Sequence, residues 1–269
     1  MDKDVTGAQS APSAAMPATS DDLFLGGALR MRQPKSGYRA GLDAVLLAAA
    51  CPAVPGETCL DCGAGVGVAG LAAARRIEGL DVTLIEKQAD LAALAVFNIA
   101  TNALLDRCRV VCDDLSRPLS LIGGMAAMVG RFDHVLANPP YHAHGRGTRA
   151  TDPLKDGSHA MQTGAFEAWA RFAAGMAANG ATFTLIQRAD ALPDVLKALD
   201  RRFGRIRVLP VHARNGEPAS RVLVQAIKGS RAGLEILQGR VLHISDSHAF
   251  TAEFDAILRG GGRLEMVSA

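Results

Sequence analysis

Asn138-Pro139-Pro140-Tyr141 places an amide oxygen, a stiff carbonyl-bearing segment and an aromatic ring directly after the apolar run 132–137. Those groups suit a planar nitrogen that must act as a nucleophile. An exocyclic amine on a base, or a carboxamide, shares its lone pair with the attached π-system and attacks carbon poorly. The Asn138 side-chain oxygen and the Pro139 carbonyl can accept its two N–H bonds, which favours a more tetrahedral nitrogen and stabilises the positive charge developing on it. Consecutive prolines hold the segment extended, and a Pro carbonyl still accepts although the residue has no N–H. Tyr141 offers a face on which an extruded base stacks, worth roughly 1–3 kcal/mol. No strong general base is required, because a nitrogen that has gained a carbon substituent and a positive charge loses its proton to water. The same four residues also fit an ordinary turn with a loop tyrosine, so the decision passes to their neighbours.

Upstream, the short apolar run Cys59-Leu60-Asp61-Cys62 leads into Gly63-Ala64-Gly65-Val66-Gly67 and then an Ala-rich helical stretch, Val68 to Arg76. Glycines at alternate positions let backbone approach a ligand closely, and the loop hands over to a helix N-terminus. The pattern is G-x-G-x-G with Asp61 ahead of it, unlike the G-x-G-x-x-G of dinucleotide enzymes, and favours S-adenosylmethionine over NAD. Nineteen residues beyond Gly67, Glu86 closes the β-type run 82–85 and is placed for the two hydroxyls of a ribose. A third run, Arg109 to Cys112, ends in Asp113-Asp114, where an acid can accept from an adenine amino group. Each piece alone has a bland reading as a tight turn or a helix cap. Their order carries the argument: Asp61, Glu86, Asp114 and Asn138 at successive strand ends all belong to one edge of a parallel sheet, the edge where open α/β folds bind ligands.

With these motifs the chain resembles class I S-adenosylmethionine-dependent methyltransferases carrying an Asn-Pro-Pro-Tyr motif, and most nearly the bacterial family that modifies the N6 amine of adenosine 37 in tRNA(Val). Leu25-Gly26-Gly27, Arg32-Gln33-Pro34, Gly37-Tyr38-Arg39 and Asp43 to Leu47 match that family's N-terminal cofactor-lid region. The resemblance implies a Rossmann-like α/β fold with a seven-stranded sheet and helices on both faces. It implies that Asp61, Gly63, Gly65, Gly67, Glu86 with Lys87, and Asp114 with Leu115 hold the cofactor, that Arg39 and Asp43 lie near its methionine end, and that Asn138, Pro139, Pro140 and Tyr141 hold the base. An RNA substrate, expected to be tRNA, follows from the same likeness. A protein-glutamine methyltransferase shares the logic, since a carboxamide also presents a planar NH2; a guanine-N2 rRNA enzyme and a non-catalytic cofactor- or RNA-binding protein are further alternatives.

Length and composition fit a single α/β domain. The 269 residues are 49% hydrophobic and 21% charged, and no apolar run is long enough to span a membrane. Residues 1–20 are rich in Ala, Ser, Pro and Thr without the apolar core of a signal peptide, which predicts a disordered tail and a cytoplasmic protein. Residues 21–57 are expected to form a lid or cofactor-proximal region, 58–230 the methyltransferase domain, and 231–269 a C-terminal appendix packed on the same domain, with a short strand and a helix starting near Thr251. Strands are expected at 58–62, 82–85, 108–112, 132–137, 181–187, 205–211 and 221–228. Leu91, Leu94, Phe97 and Leu104 are expected on one buried helical face, as are Phe166, Trp169, Ala173 and Met176, with Trp169 read as core.

Cys59 and Cys62 share C-x-x-C spacing, but residues three apart in a strand face opposite sides, so no metal site is expected. Between Arg188 and Arg231 ten Lys/Arg stand against four Asp/Glu. Arg30, Arg32, Lys35 and Arg39 form a second basic cluster, and Arg146, Arg149 and Lys155 a third, in the loop 142–159 that also carries His142 and His144. These clusters suit phosphate contacts or, equally, solvated faces.

Overall fold

The computed structural model describes residues 18–140, 165–245 and 247–267. Tyr141, His142, His144 and the basic cluster Arg146, Arg149 and Lys155 lie outside the described residues, as do residues 1–17 of the expected tail. The tail boundary at residue 20 is corrected, because a strand already begins at Thr19.

All seven expected strands are present: β3 (Thr58–Cys62), β4 (Asp81–Glu86), β5 (Cys108–Cys112), β6 (Phe132–Ala137), β7 (Ala177–Arg188), β8 (Phe203–His212) and β9 (Ala219–Lys228). Their order is β5-β4-β3-β6-β7-β9-β8, parallel from β5 to β7, with β9 antiparallel to both β7 and β8. Two short strands, β10 (Glu235–Ile236) and β11 (Arg240–Val241), add to the outer edge of β8 and bring the sheet to nine. The central strands read as nearly continuous apolar runs because both their faces are covered. Helices α1 (Leu42–Ala50), α2 (Val68–Arg76), α3 (Ala89–Thr101) and α6 (Ala252–Gly260) share one apolar core with Cys59, Val82 and Leu84. Helices α4 (Ala165–Met176) and α5 (Leu192–Leu199) share the other with Leu60, Cys62, Ile85 and Val135. Cys59 and Cys62 therefore do face opposite sides. Phe254 and Ile257 of α6 are buried in the first core.

An antiparallel hairpin, β1 (Thr19–Phe24) and β2 (Leu29–Pro34), precedes the sheet and stays outside it. Its free β2 edge is completed by side chains. Asn98 accepts the Arg32 amide at 2.7 Å and donates to the Arg32 carbonyl at 3.0 Å, and Asn102 accepts the Arg30 amide at 2.9 Å and donates to the Arg30 carbonyl at 2.7 Å. Two asparagines one helical turn apart thus meet two strand residues spaced by two, because both repeats measure about 5–7 Å. Phe97 departs from the expected buried face: it is 40% exposed, with the Arg32 guanidinium 4.1 Å from its ring centre. Among the described residues no helix is long and apolar enough to cross a membrane.

Candidate active site

Register brings the expected motifs together. Cys62, the last residue of β3, pairs with Ile85 on one side and Ala137 on the other, so the glycine loop leaves the sheet between Glu86 and Asn138. Gly63, Gly65 and Gly67 all have positive φ, at 59°, 57° and 92°, a region costly for residues with a Cβ. The loop is pressed from two directions. A Cβ on Gly65 would stand 2.4 Å from Cε1 of Tyr38, and one on Gly63 would stand 2.3 Å from the indole of Trp169.

The carboxylates knit this loop together. Glu86 is 5% exposed; its Oε2 accepts the Gly65 amide at 2.9 Å and its Oε1 accepts the Gln88 amide at 2.8 Å. Glu86 thereby ties the loop to the entry of α3, and each oxygen keeps a further acceptor site that a ribose hydroxyl can use. Asp61, 2% exposed, lies beneath the loop, where its Oδ2 accepts the Gly70 amide at 2.8 Å. Burial pushes the Asp61 carboxyl up to about 7, against the Gly70 bond and with the help of Glu86. Burial, then the charges of Asp61 and Glu86, pushes the Tyr38 hydroxyl upward as well.

Tyr38 is held there by the hairpin. The buried Gln33 donates to the Ala40 carbonyl at 3.3 Å and accepts the Ala40 amide at 2.8 Å, closing the loop that carries Tyr38. Asn98 also donates to the Val66 carbonyl at 3.0 Å, joining hairpin, α3 and glycine loop through one side chain. A cavity of about 250 Å³ lies between Pro34, Ser36 and Tyr38 on one side and Gln88, Ala89, Asp90 and Leu91 at the entry of α3 on the other.

The remaining expected residues divide. Asp114 Oδ1 accepts the Ser116 amide at 2.8 Å in the turn after β5, Leu115 is half-buried against the second core, and Lys87 is exposed. Arg39 bonds to Asp22 at 2.6 Å, to the Pro34 carbonyl and to Ser20, so it fastens the lid to β1. Asp43 pairs with Arg221 of β9. Asn138 and Pro140 are half-buried and Pro139 is buried; the Pro139 carbonyl accepts the Gln187 side-chain amide at 3.1 Å.

Tyr38, Arg221, Gln187, Asn98 and Trp169 were not among the expected site residues. Trp169 is half-buried and reaches the glycine loop besides packing on the second core, which corrects its reading as core alone. A buried Gln at the end of an apolar strand run is the one signal of this set visible in sequence. Of the eleven described arginines in the basic clusters, eight have acidic partners: Arg30 and Arg32 with Asp21, Arg39 with Asp22, Arg188 with Asp190, Arg201 with Asp200, Arg202 with Glu167, Arg207 with Glu235 and Arg221 with Asp43. Among the described residues no group of three His, Cys, Asp or Glu side chains gathers as a metal ion would need.

Residues 42–209 match the model of a family described as methyltransferase small domain. A tRNA1(Val) (adenine(37)-N6)-methyltransferase of Shewanella sp. (strain MR-7) is 35% identical over 109 residues, 40% of this chain and 44% of the relative. The corresponding protein of Escherichia coli O157:H7 (strain EC4115 / EHEC) is 32% identical over 112 residues, 41% and 43% of the two chains. The matched stretch thus spans less than half the length of these curated relatives. A predicted O-methyltransferase from Agrobacterium tumefaciens is 32% identical in structure-based comparison, with a TM-score of 0.70, covering 82% of this chain and 98% of that one. The Thermus thermophilus 16S rRNA N2 G1207 methyltransferase, solved with AdoMet and guanosine, shares the fold at 20% identity and a TM-score of 0.54, over 81% and 52% of the chains.

Proposed function

The chain belongs to the methyltransferase small domain family, and from that premise we propose that it transfers the methyl group of S-adenosylmethionine to the exocyclic N6 amine of adenosine in RNA, with position 37 of a tRNA as the target. The observation that carries this reading is the pairing of Cys62 with both Ile85 and Ala137. It supports the reading because Asn138 and Pro139 then follow a strand adjacent to the one that leads into the glycine loop, and direct transfer needs two bound groups side by side.

The bound cofactor would supply an electrophilic methyl group on a positively charged sulfur. The chain's own residues supply position and charge complementarity. Glu86 orients the ribose, and the glycine loop, fixed by Glu86 and Asn98, brings backbone close to the cofactor. The fit is supported by the chemistry of Glu86, whose two carboxylate oxygens each hold one backbone amide and keep an acceptor site for a ribose hydroxyl. Asn138 Oδ1 and the Pro139 carbonyl accept the two N–H bonds of the amine, and those bonds strengthen as positive charge grows on nitrogen. Tyr141 stacks the extruded base.

The likeness to a predicted O-methyltransferase raises a hydroxyl acceptor. A hydroxyl must lose its only proton during attack and so needs a base, and neither the Asn138 amide nor the Pro139 carbonyl is one; their two acceptor oxygens suit the two N–H bonds of an amine. Labelled cofactor incubated with total tRNA from a strain lacking this gene, followed by nucleoside mass spectrometry, tests the proposal. N6-methyladenosine beside the anticodon is the expected product. Label confined to protein overturns it in favour of a carboxamide acceptor.

A further inference from the structure

Gln187, the last but one residue of β7, is 1% exposed. β6 and β7 pair in parallel as far as Ala137 and Leu185. Beyond that point Pro139 and Pro140 have no N–H to offer a ladder, and a side chain takes over. Gln187 Nε2 donates to the Pro139 carbonyl at 3.1 Å, while its Oε1 accepts the Arg188 amide at 2.9 Å. The second bond fixes which way the amide faces, because exchanging oxygen and nitrogen would oppose donor to donor and acceptor to acceptor.

We propose that Gln187 is a positioning residue for methyl transfer, holding the Pro139 carbonyl so that its remaining acceptor site faces the substrate nitrogen. This rests on the reading of Asn138 and Pro139 as the amine clamp. A carbonyl oxygen has two acceptor sites; Gln187 fills one and leaves a single, directed site for one N–H. Two prolines fix φ and confine ψ of Pro139 to the extended region, within which the carbonyl can still tilt over roughly 40°, and the Gln187 bond narrows that range. A tilt that moves the oxygen by about 1 Å costs on the order of 100-fold in rate.

Two variants test this, assayed for methyl transfer from labelled S-adenosylmethionine to total RNA between roughly pH 5.5 and 8.5, with cofactor affinity followed by calorimetry. Gln187→Leu removes the donor; kcat should fall on the order of 10–100-fold at every pH, while KM and cofactor Kd stay within about 3-fold. Gln187→Glu installs a group that donates only when protonated, and burial beside a carbonyl oxygen raises its pKa. Its kcat relative to wild type should therefore recover at acid pH and fall as pH rises. A ratio flat in pH, or wild-type kcat in Gln187→Leu, overturns the proposal. If Gln187→Leu does not fold, the Gln187→Glu ratio at the two pH extremes decides alone. Should wild type label a protein instead of RNA, the substrate reading fails and the same ratio is read on that protein. No transfer to either by wild type overturns both.

Discussion

Tyr38 and Gly65 touch: the tyrosine ring occupies the space in which any side chain at residue 65 would begin, 2.4 Å from a Cβ built there. Two penalties therefore fall on Gly65→Ala. Its φ of 57° costs a residue with a Cβ about 1–2 kcal/mol, and the clash with Tyr38 adds to this. Thermal unfolding should show a loss of roughly 2–4 kcal/mol. In the double variant Gly65→Ala/Tyr38→Ala the steric part should disappear and the backbone part remain, a coupling of at least ~1 kcal/mol. Additive losses would mean that the ring yields freely.

Asn98→Ala should loosen the hairpin and its tie to the glycine loop. The side chain satisfies the amide and carbonyl of Arg32 and the carbonyl of Val66, and it is wholly buried. Losing buried partners costs about 1–3 kcal/mol for each group left unpaired, so a total on the order of 3 kcal/mol is expected. Hydrogen exchange provides the localised readout: the Arg32 amide should lose protection far more than the amides of β3. Equal loss across the sheet would place the effect in global stability alone.

The sheet was legible because its strands are local objects. Residues 58–62, 108–112 and 132–137 are largely apolar runs bounded by charged residues, Gly or Asn, and the observed strands match them end to end. The order of site residues along the chain followed from that. What sequence could not carry is contact between distant segments. β2 finds its edge partners some seventy residues away on α3, so the run 19–34 gave no sign of a hairpin. Phe97 fits the helical period for burial, yet the hairpin brings Arg32 over its ring instead. Tyr38 and Trp169 reach the glycine loop from opposite sides, 27 and 106 residues from the glycines they press. Their types alone could not reveal this.

Asp61→Asn tests the charge beneath the loop. Asparagine still accepts the Gly70 amide through its oxygen but carries no charge. In wild type the folded pKa of about 7 stands above the ordinary 3.8, so folding favours the protonated form. That contribution is present in full below pH 3.8 and is lost as pH rises through 7. The difference of about 3 units corresponds to at most ~4 kcal/mol. Measured between about pH 5 and 8, the melting temperature of the variant minus that of wild type should rise with pH. A difference that stays constant would show that Asp61 does not titrate in this range.

Asn138→Ala separates the clamp from the cofactor site. The side chain sits one residue beyond β6, whereas among the described residues the side-chain hydrogen bonds to the glycine loop come from Glu86 and Asn98. Calorimetric affinity for S-adenosylmethionine should change by no more than about 2-fold. Turnover should fall by on the order of 100–1,000-fold, the loss typical when one oriented group that stabilises developing charge is removed. Asn138→Asp should retain part of the activity, because a carboxylate oxygen also accepts N–H. It also brings a full charge toward the positive nitrogen, so the bond can be strong yet differently aimed. An alanine variant within about 10-fold of wild-type turnover would show that the amine is held by other groups. Weakened cofactor binding together with lost turnover would instead place Asn138 in the cofactor site, and a comparison of kcat with cofactor Kd tells these two outcomes apart.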